Sequence, residues 1–329
     1  MVGAGAVADR TYNVTVVLYL PLLALMLFVP RRPADRPLWV VRAGFLVAVS
    51  GVYTNLVQLH LIPGRSDLEP LGFLVFLCCQ GYVAAGRTFR NEQRLAAINK
   101  ELEIARGIQF GLLPSQNVAI PGLEVAAKYV PASSVAGDFY DYLVDGESGL
   151  GVLVADVSGH GVPAALSASM VKVAIHAQRE RLPDPAAVLA GLNSILCGNL
   201  RGQFVTAAYA FIDVARRQLS YAGAGHPPLL LWRAGEAKVH SIEENGLFLG
   251  TFPGCEYRAF TSHFEPADRC LLYTDGVVEA PNAAGEEFGY ERLLDFLAAH
   301  ASFGAPQFCE AAGRSNRRMD QRRGRPAPR

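Results

Sequence analysis

Three aspartates sit where a chain could use them for chemistry: Asp138 in "AGDFYDYL", Asp156 in "GVLVADVSGHG" and Asp275 in "CLLYTDGVV". Asp156 closes the apolar run Leu150 to Ala155, and Asp275 closes the run Cys270 to Thr274 just before a glycine. Asp138 follows Gly137, with Asp141 three residues on. A carboxylate at the end of a buried strand must be neutralised, paired or bound to a cation, because an isolated charge in a dry site is costly. No Lys or Arg falls between Lys128 and Lys172, so basic partners close in sequence are missing. Taken singly, each Asp reads better as a turn residue beside glycine than as a ligand. Together they favour a cation, and oxygen-only ligands suit a hard ion such as magnesium or manganese, which keeps several waters. Two such ions roughly 3.5–4 Å apart activate a water for in-line attack on phosphorus, so hydrolysis of a phosphate ester is the chemistry these residues could serve.

Rival chemistries lack their residues. The sequence holds no HCxxxxxR of a cysteine phosphatase, no GxxxxGK[ST], no HExxH and no GxSxG. Ser158 in "DVSGHG" is the nearest candidate nucleophile, and no general base stands at a suitable spacing from it.

These side chains need elements to hold them. Leu150 to Ala155 reads as a buried strand. "FVTAAYAFID" and "QLSYAGAGH" read as a hairpin turning at Val214 to Arg217, which makes Thr206 and Asp213 structural and puts His226 at the close of the second strand, to cap the loop or meet a substrate. "PAALSASMVKVAIHAQ" is apolar at helical spacing, with Met170 in the core. Upstream, "RTFRNEQRLAAINKELEIARGIQFGLLP" carries Leu95, Ile98, Leu102 and Ala105 at spacings of three, four and three. A lone amphipathic linker helix and a parallel homodimer through that helix both satisfy this rhythm, and Pro114 ends it either way.

The first quarter is different in kind. Val14 to Val29, Leu38 to Ile62 and Leu71 to Ala85 are apolar, and a bilayer-crossing helix needs about 20 such residues. Arg31, Arg32 and Arg36 follow the first run, Arg65 stands against Asp67 and Glu69 after the second, and Arg87, Arg90 and Arg94 follow the third. Three passes with an external amino terminus and a cytoplasmic remainder satisfy that distribution. The start lacks the basic region of a signal peptide. Lys plus Arg and Asp plus Glu balance at 30 each, which gives no footprint for nucleic acid. Six cysteines without metal or disulfide spacing read as reduced thiols.

With these motifs in place, the chain resembles the metal-dependent protein phosphatases of type 2C, and among them the bacterial subfamily of sporulation stage II protein E and the stress-response phosphatases. "IQFGLLP", "AGDFYDYL", "DVSGHGVPAAL", "FVTAAYAFID", "AGAGHPPLLL", "GLFLG" and "YTDGVVEAPNAAGEEFG" stand in that family's order. The resemblance implies an α+β fold, a four-layer αββα sandwich with two antiparallel sheets at its centre, preceded here by transmembrane helices and a helical linker. It also implies a pair of Mn2+ or Mg2+ ions held by Asp138, Asp156, the backbone carbonyl of Val157, and Asp275, with Asp156 bridging. Asp141 would bind through water, and His160 would orient a water, protonate the leaving oxygen or serve as a loop imidazole. The implied substrate is a phosphoserine or phosphothreonine on a regulatory protein of the anti-sigma-factor antagonist type.

The expected organisation is a membrane region over 1–86 in the inner membrane, a linker over 87–113, a phosphatase domain over 114–313 and a basic, disordered tail over 314–329. In that tail the pattern fails. Family members finish with an apolar strand preceded by paired aspartates, whereas this chain carries seven Arg from Arg314 onward and only Asp320. The alternative expectation is therefore a catalytically impaired, phosphoprotein-binding scaffold.

Overall fold

The computed structural model describes residues 69–114, 118–131, 134–281 and 285–321, in two units that divide between Lys100 and Glu101. The first two apolar runs, Val14 to Val29 and Leu38 to Ile62, lie outside the described residues. The third belongs to a 44-residue helix, α1 (Glu69–Leu112), which runs without a break past the expected boundary at residue 87 and ends just before Pro114. Among the described residues, no helix is long and apolar enough to cross a membrane. Leu95 and Ile98 are exposed on α1, while Gln109 near its end is buried.

Beyond the linker the chain alternates apolar and polar residues and forms sheets. A six-stranded sheet runs in the order β1 (Phe139–Asp145), β2 (Gly149–Val157), β3 (Val205–Asp213), β4 (Gln218–Ala224) and β7 (Asn245–Gly246), and β8 (Phe260–His263) also pairs with β4. Its pairings are antiparallel except β4 with β7. A second sheet has the order β6 (Lys238–Ile242), β5 (Leu229–Arg233) and β9 (Arg269–Leu271). The β3–β4 hairpin turns where the alternation predicts, between Asp213 and Gln218.

Three apolar layers separate four structural ones. Helices α2 (Val162–His176) and α3 (Pro185–Leu196) cover the large sheet through Leu153, Ala155, Ala168, Val171, Leu189 and Leu192. Between the sheets lie Ala208, Ala210, Ile212 and Leu219 of the large sheet against Leu229 and Leu231 of the small one. Leu230 points the other way, toward Leu293 and Leu297 of α4 (Tyr290–Ala299) and Phe308 of α5 (Ala305–Gln321). Strand periodicity of two explains this division, since neighbours in one strand face opposite sides. The order is αββα.

The carboxyl end departs from expectation. Helix α5 continues through Gln321, well past Arg314, where a disordered tail was expected to begin. Its residues are mostly good helix formers, and Arg314 pairs with Glu310 one turn back at 2.8 Å. Among the described residues no strand follows β9, and Asp320 lies in this helix rather than at a strand end.

Candidate active site

Asp156 is held by the end of a nine-residue strand. It lies opposite Thr206 in the β2–β3 register, and the next turn is pinned to the strand beside it. Ser158 N–H donates to the Phe204 carbonyl at 2.9 Å, and Phe204 N–H donates to Ser158 Oγ at 2.9 Å. Gln203 Nε2 donates to the Ser158 carbonyl at 2.9 Å, and its Oε1 accepts from Ser167 Oγ of α2 at 2.7 Å. Ser158 thus fixes the loop through both its backbone and its hydroxyl.

Asp138 reaches the same place from the entry to β1. Gly137 permits this: a Cβ there would lie 2.5 Å from the Val157 carbonyl oxygen and 3.1 Å from Asp156 Oδ1. Only a residue without a side chain lets the two segments come so close. The peptide before it is bracketed by Gln109 of α1, whose Nε2 donates to the Ala136 carbonyl at 2.7 Å and whose Oε1 accepts from Ala136 N–H at 3.2 Å.

Asp275 comes from the other sheet. β9 stops at Leu271, shorter than the sequence suggests, and Asp275 opens a single 3-10 turn (Asp275–Val277) after Thr274. The Thr274 side chain hydrogen-bonds the Asp138 carboxylate. Asp156, Thr206, His226 and Asp275 line one cleft of about 530 Å³, together with Ser158, Gly159, Phe204, Gly225 and Pro227.

The electrostatics of this cleft are those of crowded negative charge. Burial, and then the carboxylates of Asp138 and Asp275, push Asp156 up to about 7 from an ordinary 3.8; Glu279 adds to the effect, and a hydrogen bond from Val157 opposes it. Asp138 is raised as well, first by burial and then by Asp275, against the Thr274 hydrogen bond. A cation in the cleft would favour both ionised carboxylates and so oppose both shifts. Among the described residues, however, no three His, Cys, Asp or Glu side chains converge closely enough to hold a metal ion by themselves. The donor set therefore fits a hard, hydrated ion that keeps most of its waters and takes one or two carboxylates, not a closed protein cage.

One expectation is corrected by the geometry. Asp141 is absent from the cleft: it is 1 % exposed and sits against α2, where Lys172 Nζ lies 2.7 Å and His176 Nε2 2.9 Å from its Oδ2. Its basic partner is 31 residues away and on another layer. His160 is exposed in the loop after β2, and neither it nor Asp138 is among the residues lining the cleft. Conversely, His226 is 3 % exposed and bridges two segments of the site. Its Nε2 lies 3.0 Å from the Tyr273 carbonyl oxygen and its Nδ1 3.1 Å from Thr206 Oγ1. A carbonyl only accepts, so Nε2 carries the proton and Nδ1 accepts from the Thr206 hydroxyl. Burial lowers the imidazole to about 4, against the pull of the Tyr273 bond, and so it is neutral. Gln109, Gln203 and Thr274 were not legible as site residues, because each acts through a backbone or side chain far away in sequence.

The profile of the stage II sporulation protein E (SpoIIE) family matches residues 146–325, more than half of the chain. The chain belongs to the SpoIIE family. Phosphoserine phosphatase RsbU of Bacillus subtilis is 33% identical over 208 residues, 62% of this chain and 62% of RsbU. Phosphoserine phosphatase RsbP of the same organism is 30% identical over 185 residues, 55% of this chain and 45% of RsbP. The chain thus spans less than two thirds of the length of either relative. Among solved structures, the SiaA-PP2C domain of Pseudomonas aeruginosa superposes with a TM-score of 0.61 at 27% identity, over 69% of this chain and 92% of that domain. The SpoIIE-family fold seen here is thus a PP2C-like α+β fold.

Proposed function

We propose that this chain is a metal-dependent protein serine/threonine phosphatase that hydrolyses a phosphoserine or phosphothreonine ester. The observation that carries the reading is the set of Asp138, Asp156 and Asp275, drawn from two sheets close enough to act on one another's charge, with Asp156 and Asp275 lining the cleft and Asp156 raised to about 7. Two relatives named phosphoserine phosphatases and the PP2C-like fold support it.

Asp138, Asp156, Asp275 and the Val157 carbonyl are the groups that would hold Mn2+ or Mg2+. Such ions supply an activated water at neutral pH and offset negative charge on the phosphoryl oxygens. The chain's own residues do the rest. Gly137 brings no side chain against the Val157 carbonyl, which lies 2.5 Å from where a Cβ would stand. The Ser158–Phe204 and Gln203 hydrogen bonds hold the Asp156 turn still, so that its carboxylate needs little reorganisation. The ionised carboxylates alone would repel a phosphate dianion, and bound cations would offset that charge.

The partner we propose is a phosphorylated regulatory protein of the anti-sigma-factor antagonist type, and the location is the inner membrane with the catalytic domain in the cytoplasm. The second of these rests on the apolar runs and the arginine distribution of the first 94 residues. A second reading, a phosphoprotein-binding scaffold with impaired catalysis, is favoured by the lack of a closed metal cage and of a strand after β9 among the described residues. Manganese-dependent phosphate release from a phosphoprotein, compared between the unaltered chain and Asp156→Asn, separates the two. The phosphatase reading expects a loss of at least about 100-fold in the variant; equal rates overturn it.

A further inference from the structure

We infer that His226 is a positioning residue that sets the separation between Asp156 and Asp275, and that the cation affinity of the cleft depends on its two ring hydrogen bonds. The inference rests on the phosphatase reading above and concerns what holds its carboxylates in place.

Asp156 and Asp275 belong to different sheets, so their spacing is not fixed by any strand pairing. His226 lies at the crossover between those sheets, directly after β4 and before β5. On one side it accepts a hydrogen bond from Thr206, the residue opposite Asp156 in the β2–β3 register. On the other it donates to the carbonyl of Tyr273, two residues before Asp275. The imidazole is a rigid plane with its two nitrogens at a fixed distance, so it transmits a spacing that a flexible side chain would not.

Its own backbone is equally constrained. Asn245 of β7 donates through Nδ2 to the His226 carbonyl at 2.9 Å, and its Oδ1 accepts from Gly225 N–H at 2.7 Å. Gly225 takes a φ of +66°, a left-handed turn that favours glycine and directs the histidine inward. A residue that only filled the core would not need both nitrogens satisfied, in one tautomer, by groups adjoining two different carboxylates. Outer-shell partners of this kind typically alter metal affinity by about 10- to 100-fold when removed.

The test uses the full chain, with Mn2+ titrated by isothermal calorimetry and unfolding followed by circular dichroism in the presence of chelator. Thr206→Val removes one hydroxyl, and His226→Gln removes the rigid ring. Both are expected to weaken Mn2+ binding by about tenfold or more, while Thr206→Ser, which keeps the hydroxyl, restores it. Should His226→Gln fail to fold, the Thr206 pair carries the result. Affinity unchanged in a folded Thr206→Val protein, or no rescue by serine, overturns the inference and leaves the phosphatase reading standing. An unaltered chain that binds no Mn2+ overturns that reading first.

Discussion

Gln109 and Ala136 are joined by two hydrogen bonds in which one side-chain amide satisfies both the N–H and the carbonyl of a single residue. The amide comes from the last turns of α1, and the peptide it holds lies two residues before Asp138. With Gln109 only 6 % exposed, Gln109→Ala leaves these polar groups without their partner in a poorly hydrated place. The expected cost is about 2 kcal/mol of stability, read as a lower urea midpoint at unchanged slope.

Asp141 and Asp156 should respond oppositely to the same change. Asp141→Asn is expected to leave Mn2+ affinity within about twofold of the unaltered chain, since Asp141 faces α2, while Asp156→Asn abolishes binding. Lys172→Met leaves the buried Asp141 carboxylate with only His176 and the Tyr142 N–H as partners. Because Lys172 is 22 % exposed, we expect a loss of about 2 kcal/mol, below that for a fully buried pair. Calorimetric titration and chemical unfolding check the two halves.

Protonation gives a third expectation. The folded-state value of Asp156 is raised to about 7 and that of Asp138 is raised too, so the folded, chelated protein binds protons that the unfolded chain releases near 3.8. Their contribution is fully present below that value and is lost as pH climbs through about 7. Burial of His226, lowered to about 4, works the other way over part of this window, so the contribution of the carboxylates is read as a difference. In chelator the unaltered chain should lose more melting temperature, or gain less, between these pH values than Asp156→Asn, and excess Mn2+ should remove that difference. Identical pH dependence of the two proteins in chelator would contradict the assignment.

Gly137→Ala is the steric counterpart. Its methyl would meet the Val157 carbonyl at 2.5 Å, which forces β1 and β2 apart at the site. A destabilisation of about 2 kcal/mol is expected, together with loss of Mn2+ binding, whereas alanine at Gly235, which has open space around it, should change neither.

Much of this was legible in the order of residues. The apolar run into Asp156, the hairpin around Val214 to Arg217 and the helix beginning at Val162 all follow from periodicity, because each buries one face or a whole strand against a neighbour. What escaped were contacts between layers. A search for bases near Asp141 along the chain stops short of Lys172, which is distant in sequence yet 2.7 Å away in space. His226 looked like a loop residue because its two partners lie 20 and 47 positions away. The heptad rhythm of α1 likewise gave no hint of the contact made by Gln109. Gln109 falls on the same rhythm as Leu102 and Ala105, but it is turned toward the chain's own Ala136, so polarity at that position carried the information.

The middle layer of the sandwich has one further consequence. On β3 the layer between the sheets holds Ala208 and Ala210 beside the larger Ile212, so part of that layer is only a methyl group deep. Since one sheet carries Asp156 and the other leads to Asp275, these alanines act as the shim of a vice. Thickening the shim by a few carbons should be felt at the jaws, as carboxylates that no longer share an ion, before it is felt as a failure to fold.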